Sequence, residues 1–458
     1  MSNPGEADLT PITSARQLAA WFEQGSKPRA AWGIGTEHEK FGFYHADLAP
    51  PPYDPGAPRA GGIRALLEGF QPKGWAPILD TGNPIGLTRD KASISLEPGG
   101  QFELSGAALP DVHGTAAELA THLTATKRVA DALDIGFLTL GMSPRWRRDE
   151  TPVMPKSRYK IMAGYMPKVG SLGLDMMLRT ATVQVNLDFA SELDMVRKMR
   201  ASLALQPVAT ALFANSPFTD GRPNGFLSRR SEIWRDTDPH RTGMLPFAFE
   251  SGFGYEAYVD WLLDMPMYFV KRGDIYHDVS GASFRDLMAG TLTQLPGEYA
   301  TVADWANHAS TAFPEVRLKR FLEMRGADVG DPGMIAAQAA FWAGLLYDEA
   351  ALDAALDLVK GWSPSNREAA RATAPRLGLA TPVANTTLGA VAAEALAIAR
   401  AGLRARARRD TEGRDETLYL QPLEAIVTAG RTRADDLLAD YEGRWGACVR
   451  PAFTECVF

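Results

Sequence analysis

Two glutamates separated by one residue are the first feature of this chain that could do chemistry. Residues 35–43 are predicted to be extended, so Glu37 and Glu39 point to one face, beside aromatic residues, and His38 and Lys40 point to the other as structural partners. Two carboxylates beside aromatic rings need a compensating cation. Magnesium takes oxygen ligands and bridges carboxylates to phosphates. Two solvated glutamates on an edge strand explain the pattern equally well.

A second acidic pair flanks a glycine-rich segment. Glu97 and Glu103 lie on either side of Pro98-Gly99-Gly100, which predicts a turn or bulge. After this turn, Glu103 shares one face with the polar residues at 101 and 105. A glycine-rich hairpin with a solvated polar side is a common alternative, so this pair alone is a weak signal.

The clearest alternation in the chain covers residues 182–189 and predicts a half-buried strand. One face is apolar, and the other carries Thr182, Gln184, Asn186 and Asp188. The polar face fits plain exposure to solvent. Amides and carboxylates in alternation also suit a site that binds an amino acid or completes a metal shell.

Arginines near a third acidic segment suit phosphate chemistry. If residues 320–328 are extended, Glu323 and Arg325 share a face, and cations around a transferring phosphoryl group stabilise its transition state. A local Glu–Arg pair is the alternative. Arg158 and Arg230 lie in an arginine-dense region, and arginine holds carboxylates or phosphates in two-pronged geometry. Each of them alone also fits a surface charge.

The elements that must position these residues predict an α+β fold. Strand-like segments alternate irregularly with helices up to about residue 328, without the regular crossover helices of a doubly wound sheet. Later helices are predicted over 341–358, 388–408 and 423–441. We therefore expect a loose tail at 1–13, a catalytic region at 14–330, and a mainly helical region at 331–458 packed on it.

Composition narrows the function classes. The chain has 458 residues, 45% hydrophobic and 22% charged, and a formal net charge of −7, which argues against nucleic-acid binding. No apolar stretch is long enough for a membrane span. The only cysteines, Cys448 and Cys456, predict free thiols, with a bridge as the minority alternative. The sequence carries neither a P-loop motif nor paired zinc-ligand spacing.

The motifs together resemble a known family. Residues 35–43, 95–106, 167–180, 183–189, 214–218 and 323–328 are similar, in order, to motifs of plant-type glutamate–cysteine ligase. The resemblance covers nearly the whole chain. It implies a fold like that of glutamine synthetase, with a curved, mostly antiparallel sheet forming a funnel and helices outside. It also implies that ATP phosphorylates the γ-carboxylate of glutamate and that the cysteine amine then displaces phosphate.

Roles for individual residues follow from the resemblance. It implies a magnesium site with six ligand positions, at Glu37, Glu39, Glu97, Glu103, Glu323 and Asn186. Related ligases often carry a histidine at the position of Asn186. Arg230 would bind the α-carboxylate of glutamate, Gln184 would contact a substrate, and Tyr268 would form a wall of the cysteine pocket. Arg158 and Arg325 would face the substrate or the transferring phosphoryl group.

The resemblance also implies partners and a location. Glutamate, cysteine and ATP are the expected substrates, glutathione is an expected feedback inhibitor, and the chain is expected to be a monomer or homodimer. Val279 and Gln294 occupy positions of a bridging cysteine pair in plant members, so that redox switch is expected to be absent. No plastid-targeting extension is seen, which favours a cytoplasmic location.

Two other functions stay open. A γ-glutamyl ligase for another small amine would keep the fold and change the acceptor. A catalytically silent paralogue could bind glutamate or glutathione, but a binding protein would not need five converging glutamates and two arginines.

Overall fold

The computed structural model describes residues 8–458, and its centre is one sheet in which every neighbouring pair of strands is antiparallel. The strands are β1 (Ile34–His38), β2 (Ala76–Asp80), β3 (Asn83–Arg89), β4 (Ala92–Leu96), β5 (Phe102–Ser105), β6 (Thr182–Leu187), β7 (Val316–Leu318) and β8 (Leu322–Asp328). Their order across the sheet is β7-β8-β6-β1-β5-β4-β3-β2. The expected α+β fold with a mostly antiparallel sheet is confirmed.

The predicted strand at 182–189 is confirmed as β6, but its polar face is not a solvent face. Val183, Val185 and Leu187 are fully buried on the apolar side. Thr182 and Gln184 are also buried, at 4% exposure each. Because both faces of β6 are covered, its polar side chains point into the interior of a site and not into bulk water.

The extended segment predicted over 35–43 is interrupted. β1 ends at His38, and a separate strand, Phe41–Tyr44, pairs with Ile135–Leu138. The chain passes from one pairing to the other at Glu39, whose N–H donates to the Thr182 carbonyl at 3.0 Å. The segment is extended on both sides of this point, as predicted, and only Glu39 and Lys40 lie outside a strand, because the chain changes pairing partners there.

Helices surround the sheet. They are α1 (Ala15–Glu23), α2 (Ile63–Glu68), α3 (Val112–Asp131), α4 (Ser157–Tyr165), α5 (Gly173–Arg179), α6 (Glu192–Leu212), α7 (Arg229–Arg235), α8 (Tyr255–Asp264), α9 (Phe284–Ala289), α10 (Val302–Ser310), α11 (Pro332–Leu346), α12 (Glu349–Val359), α13 (Pro364–Leu377), α14 (Leu388–Arg406), α15 (Gln421–Ala429), α16 (Arg433–Glu442) and α17 (Ala452–Glu455). Short two-residue to four-residue strand pairs join 218–219 to 222–223, 242–243 to 313–314, 269–272 to 275–278 and 382–383 to 386–387.

Two predicted helices are each divided in two. The helix expected over 341–358 breaks after α11, because Asp348 caps α12 by accepting the Ala351 N–H at 3.0 Å. The helix expected over 423–441 breaks at Gly430, whose φ of +64° ends α15 in the left-handed conformation. The helix expected over 388–408 is confirmed as α14, two residues shorter.

One hydrophobic core joins the sheet to the C-terminal helices. Val185 of β6, Leu205 of α6 and Phe341 of α11 are fully buried in the same cluster. At the other end of the chain, Ile12 is buried and its N–H donates to the Ala300 carbonyl at 2.8 Å. Residues 1–7 of the expected tail lie outside the described residues. Between residues 8 and 458, no helix is long and apolar enough to cross a membrane.

Candidate active site

A polar cleft lies over one face of the sheet, where β1, β5, β6 and β8 meet α4 and α7. Its charged and amide side chains come from distant parts of the chain: Glu37, Glu39, Glu97, Gln101, Glu103, Arg158, Gln184, Arg230, Arg317 and Arg325. Its apolar wall is formed by Tyr159, Met162, Met176, Met177, Trp234 and Phe313. Most of the residues predicted from sequence motifs thus converge on one site.

The predicted glycine turn brings the second acidic pair into this cleft. Gly100 has φ +84°, a left-handed conformation that favours glycine. A side chain at Gly99 would begin 2.3 Å from the Leu178 carbonyl oxygen, so only glycine fits there. The tight turn connects β4 to β5 and places Glu97 and Glu103 on the cleft side, beside Glu39.

Three carboxylates in the cleft repel one another. Burial raises the pKa of the Glu39 carboxyl well above its usual range, and the nearby charges of Glu97 and Glu103 raise it further. Burial, together with the charge of Glu97, also raises the pKa of Glu103 to about 8. The hydroxyls of Ser95 and Ser105 donate to Glu103 at 2.7 and 2.9 Å and oppose this shift.

This repulsion predicts a pH-dependent loss of stability. The folded pKa of Glu103, about 8, exceeds its ordinary value of 4.5, so its contribution to stability is complete below about pH 4.5 and is lost as pH rises through about 8. Between about pH 6 and pH 8.5, we expect the melting temperature of the ligand-free Glu103→Gln protein to fall less than that of the wild type. An equal fall in melting temperature for the two proteins across this range would contradict the repulsion.

The donor set in the cleft fits magnesium, although no protein cage for a metal is complete. Within residues 8–458, no three His, Cys, Asp or Glu side chains are grouped as a metal site. Magnesium usually binds through one or two carboxylates and takes its other ligands from water and substrate phosphates. A divalent cation would relieve the repulsion among Glu39, Glu97 and Glu103. We therefore find the carboxylates suited to a magnesium–nucleotide complex and not to a dedicated all-protein site.

Asn186 lies beside the cleft and not in its lining. Its Nδ2 donates to Glu37 Oε1 at 2.8 Å. Its Oδ1 is buried and has no hydrogen-bond partner. An unpartnered buried carbonyl oxygen next to a carboxylate is suited to a cation, so the chemistry of this pair agrees with the metal role that the resemblance gives to Asn186.

Glu323 is fully buried and surrounded by cations. Arg317 holds it with two nitrogens at 2.6 and 2.9 Å, Arg325 contacts it at 2.6 Å and Lys319 at 3.2 Å. Burial alone would raise the pKa of Glu323, but these three cations hold the pKa well below its usual range. The prediction that Glu323 and Arg325 share a face of β8 is confirmed. Arg325 lines the cleft, whereas Glu323 does not.

Arg158 and Arg230 face the cleft without a paired carboxylate among the described residues. Arg230 is the second residue of α7 and is 2% exposed. Its Nη2 donates to the Arg325 carbonyl at 2.8 Å. The Nε atoms of both arginines are buried without a hydrogen-bond partner. Arg230 is buried and Arg158 is half-buried, and cations with such unsatisfied donors are suited to an anionic ligand such as a carboxylate or phosphate.

Two other predicted site residues occupy different surroundings. Gln184 lines the cleft and accepts a hydrogen bond from Arg325 Nη1 at 2.5 Å. Tyr268 does not line the cleft in this structure. Its hydroxyl donates to Asp238 at 3.3 Å, and Arg241 lies 3.7 Å from its ring centre. These contacts bury Tyr268 next to an Asp–Arg ion pair.

The sequence motifs missed Arg317 and the aromatic wall. Arg317 lies directly opposite Glu323 in the β7–β8 pair and also reaches the cleft. A pattern search centred on residues 320–328 could have found it by extending the alternation backwards through Val316-Arg317-Leu318. Tyr159, Trp234 and Phe313 carry no local signal, because three separate elements bring them together.

His38 and Lys40 lie on the opposite side of the sheet from the cleft, as expected. Lys40 Nζ is 3.0 Å from His38 Nδ1, and both side chains are buried. The ring of His122 packs edge-on against His38 with centroids 5.5 Å apart.

Both cysteines carry free thiols, which confirms the favoured prediction for Cys448 and Cys456.

Comparison with solved structures first defines the class of fold. The chain is similar to the crystal structure of glutamate–cysteine ligase from Francisella tularensis in complex with AMP, with a TM-score of 0.52 and 12% sequence identity. The likeness covers 95% of this chain and 86% of that one. The two proteins therefore share the same overall fold.

The family follows from sequence. The chain belongs to glutamate-cysteine ligase family 2, whose model matches residues 33–455. It is 53% identical over 448 residues to the chloroplastic glutamate–cysteine ligase of Brassica juncea, covering 98% of this chain and 85% of that one. It is 52% identical to the chloroplastic enzyme of Nicotiana tabacum, covering 98% and 83%.

The predicted cytoplasmic location is contradicted by these relatives. The Brassica juncea, Nicotiana tabacum and Arabidopsis thaliana enzymes are all named chloroplastic, at 52–53% identity over nearly the whole chain. The prediction relied on the start of the sequence, which does not carry that conclusion.

Proposed function

We propose that this chain is an ATP-dependent glutamate–cysteine ligase, which forms γ-glutamylcysteine, ADP and phosphate in the first step of glutathione biosynthesis. One observation carries the proposal: buried and half-buried carboxylates that repel one another share a single cleft with two arginines whose Nε atoms are buried without a hydrogen-bond partner. Family membership supports the same reaction. Such a site suits a nucleotide phosphate chain, its cation, and an amino acid carrying two carboxylates.

The cleft residues divide the work between positioning and charge. Arg230 would grip the α-carboxylate of glutamate, and Gln184 would contact the same substrate. A γ-carboxylate oxygen then attacks the γ-phosphorus of ATP, the bond to the bridging oxygen breaks, and ADP leaves. Arg158 and Arg325 would balance charge on the phosphoryl oxygens during the transfer, which needs little covalent help from a protein.

The second half of the reaction releases phosphate. The amine of cysteine attacks the carbonyl carbon of the acyl phosphate, and the electron pair of the carbon–oxygen bond leaves with phosphate. The amide keeps one proton of the amine, and the other goes to solvent. No Ser, His or Cys nucleophile is required, since the activated carboxylate already carries a good leaving group.

Magnesium belongs to the same proposal. Glu39, Glu97 and Glu103 would hold it in the cleft, and Glu37 with Asn186, which lies beside the cleft, would supply further ligands. When bound, magnesium would neutralise the phosphate oxygens of ATP. Glu323 would join these ligands only by giving up part of its contact with Arg317, Lys319 and Arg325.

Some roles rest on the resemblance alone. Tyr268 as a wall of the cysteine pocket stays a prediction, and it would require movement of the Asp238 contact. Glutathione carries a γ-glutamyl group, so we propose that it competes with glutamate at Arg230. The choice between monomer and homodimer also stays a prediction.

A coupled assay of ADP release tests the function. We expect ADP release that requires glutamate, cysteine and magnesium together, and that falls sharply when another small amine replaces cysteine or when a chelator is added. Release with another amine and none with cysteine under reducing conditions would reassign the acceptor. Tight binding of glutamate without any ADP release would instead indicate the silent paralogue.

A further inference from the structure

Asp328 ends β8 outside the cleft and accepts hydrogen bonds from three separate donors. Its Oδ2 accepts the backbone N–H of Asn215 at 2.9 Å and the hydroxyl of Ser216 at 2.6 Å. Its Oδ1 accepts the hydroxyl of Ser228 at 2.8 Å. Asp328 is 1% exposed, and it is absent from the residues that line the cleft. Nothing in the proposed chemistry accounts for so many bonds to one buried carboxylate.

The hydrogen bonds of Asp328 lead to the start of α7. Ser228 is the N-cap of this helix and accepts the Ser231 N–H at 3.2 Å. Ser216 accepts the Arg230 N–H at 3.1 Å. One carboxylate therefore fixes two hydroxyls, and each hydroxyl fixes one of the first N–H groups of α7, which would otherwise lack partners.

The other end of Arg230 is held by the same strand. β8 bulges between Met324 and Ala327, and the Arg325 carbonyl accepts a bond from Arg230 Nη2 at 2.8 Å. β8 thus holds the backbone of Arg230 through Asp328 and its guanidinium through the bulge. Two attachment points on one rigid strand set both the position and the direction of this side chain.

The side chain of Asp328 fits in its surroundings only because its neighbour, Gly141, has no side chain. A side chain at Gly141 would begin 2.5 Å from the Asp328 Cβ. The Gly141 N–H donates to the Asn215 carbonyl at 3.0 Å, so this segment approaches the same network. The surroundings therefore hold Asp328 in place, and Asp328 in turn holds the start of α7.

We propose that Asp328 is a positioning residue that sets Arg230 for the α-carboxylate of glutamate. The inference rests on the proposed function, because it takes the Arg230 role from there. Asp328 does not line the cleft, and it acts through Ser216 and Ser228. Its loss should weaken recognition of glutamate and leave the nucleotide and cysteine sites unchanged.

The test is Asp328→Asn, with kcat and KM measured separately for glutamate, ATP and cysteine. The amide keeps the shape but replaces one acceptor oxygen by an NH2 group, so either Ser216 or Ser228 loses its acceptor and the network reorganises. We expect the glutamate KM to rise about tenfold, with kcat and the other two KM values within about twofold of wild type.

A second readout separates positioning from general damage. 4-Aminobutyrate is glutamate without the α-carboxylate, so it cannot use Arg230. Asp328→Asn should reduce the preference for glutamate over 4-aminobutyrate as a competing ligand by about the same factor as the glutamate KM rises. A purely structural defect would weaken both ligands equally and leave this preference unchanged.

Matched controls come from the same chain. Asp188 is also buried, at 4% exposure, and accepts bonds from Lys27 and Gly33 away from the cleft. Asp188→Asn should lower stability and leave the glutamate KM unchanged. Ser228→Ala should raise the glutamate KM, whereas Ser228→Thr, which keeps the hydroxyl and the cap, should restore it. These serine variants carry the test if Asp328→Asn does not fold.

The outcomes that overturn the proposal are distinct from failure of the function. Equal changes in all three KM values, a loss of kcat at unchanged glutamate KM, or the same pattern in Asp188→Asn would each remove the positioning role while the wild type still forms γ-glutamylcysteine. A wild type that forms no γ-glutamylcysteine would remove the proposed function itself.

Discussion

Replacing Glu39 by glutamine is expected to reduce turnover on the order of a thousandfold while the protein stays folded. The substitution removes a charge from the proposed cation site. It also removes one of the three carboxylates in the cleft that repel one another, so the melting temperature should hold or rise. The Thr182 N–H, which donates to Glu39 Oε2 at 2.9 Å, can still donate to the amide oxygen of glutamine. Turnover and melting temperature should be measured on the same preparation.

Glu416 provides the matched control for Glu39. Glu416 is fully buried, lies outside the cleft, pairs with Arg406 at 2.9 Å and accepts the Val112 N–H at 2.8 Å. Glu416→Gln should lower the melting temperature, because it weakens a buried ion pair, and should keep the specific activity of the folded protein. Near-normal turnover of Glu39→Gln would remove Glu39 from the site.

Replacing Arg230 by alanine is expected to raise the glutamate KM about a hundredfold, since it deletes the charged partner of the α-carboxylate. Arg230→Lys should recover only part of this loss, because an ammonium cannot grip a carboxylate with two nitrogens. The KM values for ATP and cysteine should change little. Initial-rate kinetics with each substrate varied in turn would measure all three.

The neighbouring arginine is the control for Arg230. Arg229 stands beside it on α7, but its guanidinium lies over the Phe226 ring at 5.0 Å and does not line the cleft. Arg229→Ala should leave the glutamate KM unchanged. An unchanged glutamate KM in Arg230→Ala would show that Arg230 does not bind the α-carboxylate of glutamate. It would also rule out the proposed role of Asp328.

The parts of the site that follow strand alternation could be predicted from sequence. A strand places every second side chain on one face, so Gln184 in β6 and Glu37 in β1 reach the cleft side by local geometry. The Gly99-Gly100 turn was equally predictable, because its backbone excludes other residues. These features depend on neighbours in the chain.

The parts that depend on distant contacts could not be predicted. Glu323 meets Arg317 across a strand pair and takes three cations, which no spacing rule for a metal ligand indicates. Tyr268 bonds to Asp238 and not to the cleft, because the packing around it is set by Arg241. The helix breaks at 347–348 and at Gly430 could not be predicted either, because the apolar periodicity continues through them.

In the proposed mechanism, ATP activates the γ-carboxylate of glutamate before cysteine attacks. Glutamate labelled with 18O in its γ-carboxylate would be supplied to the enzyme, and the released phosphate would be analysed by mass spectrometry. We expect one labelled oxygen in the phosphate for each γ-glutamylcysteine formed, since the carboxylate oxygen that attacks phosphorus leaves with it. Unlabelled phosphate, or release of AMP in place of ADP, would rule out activation through a γ-glutamyl phosphate.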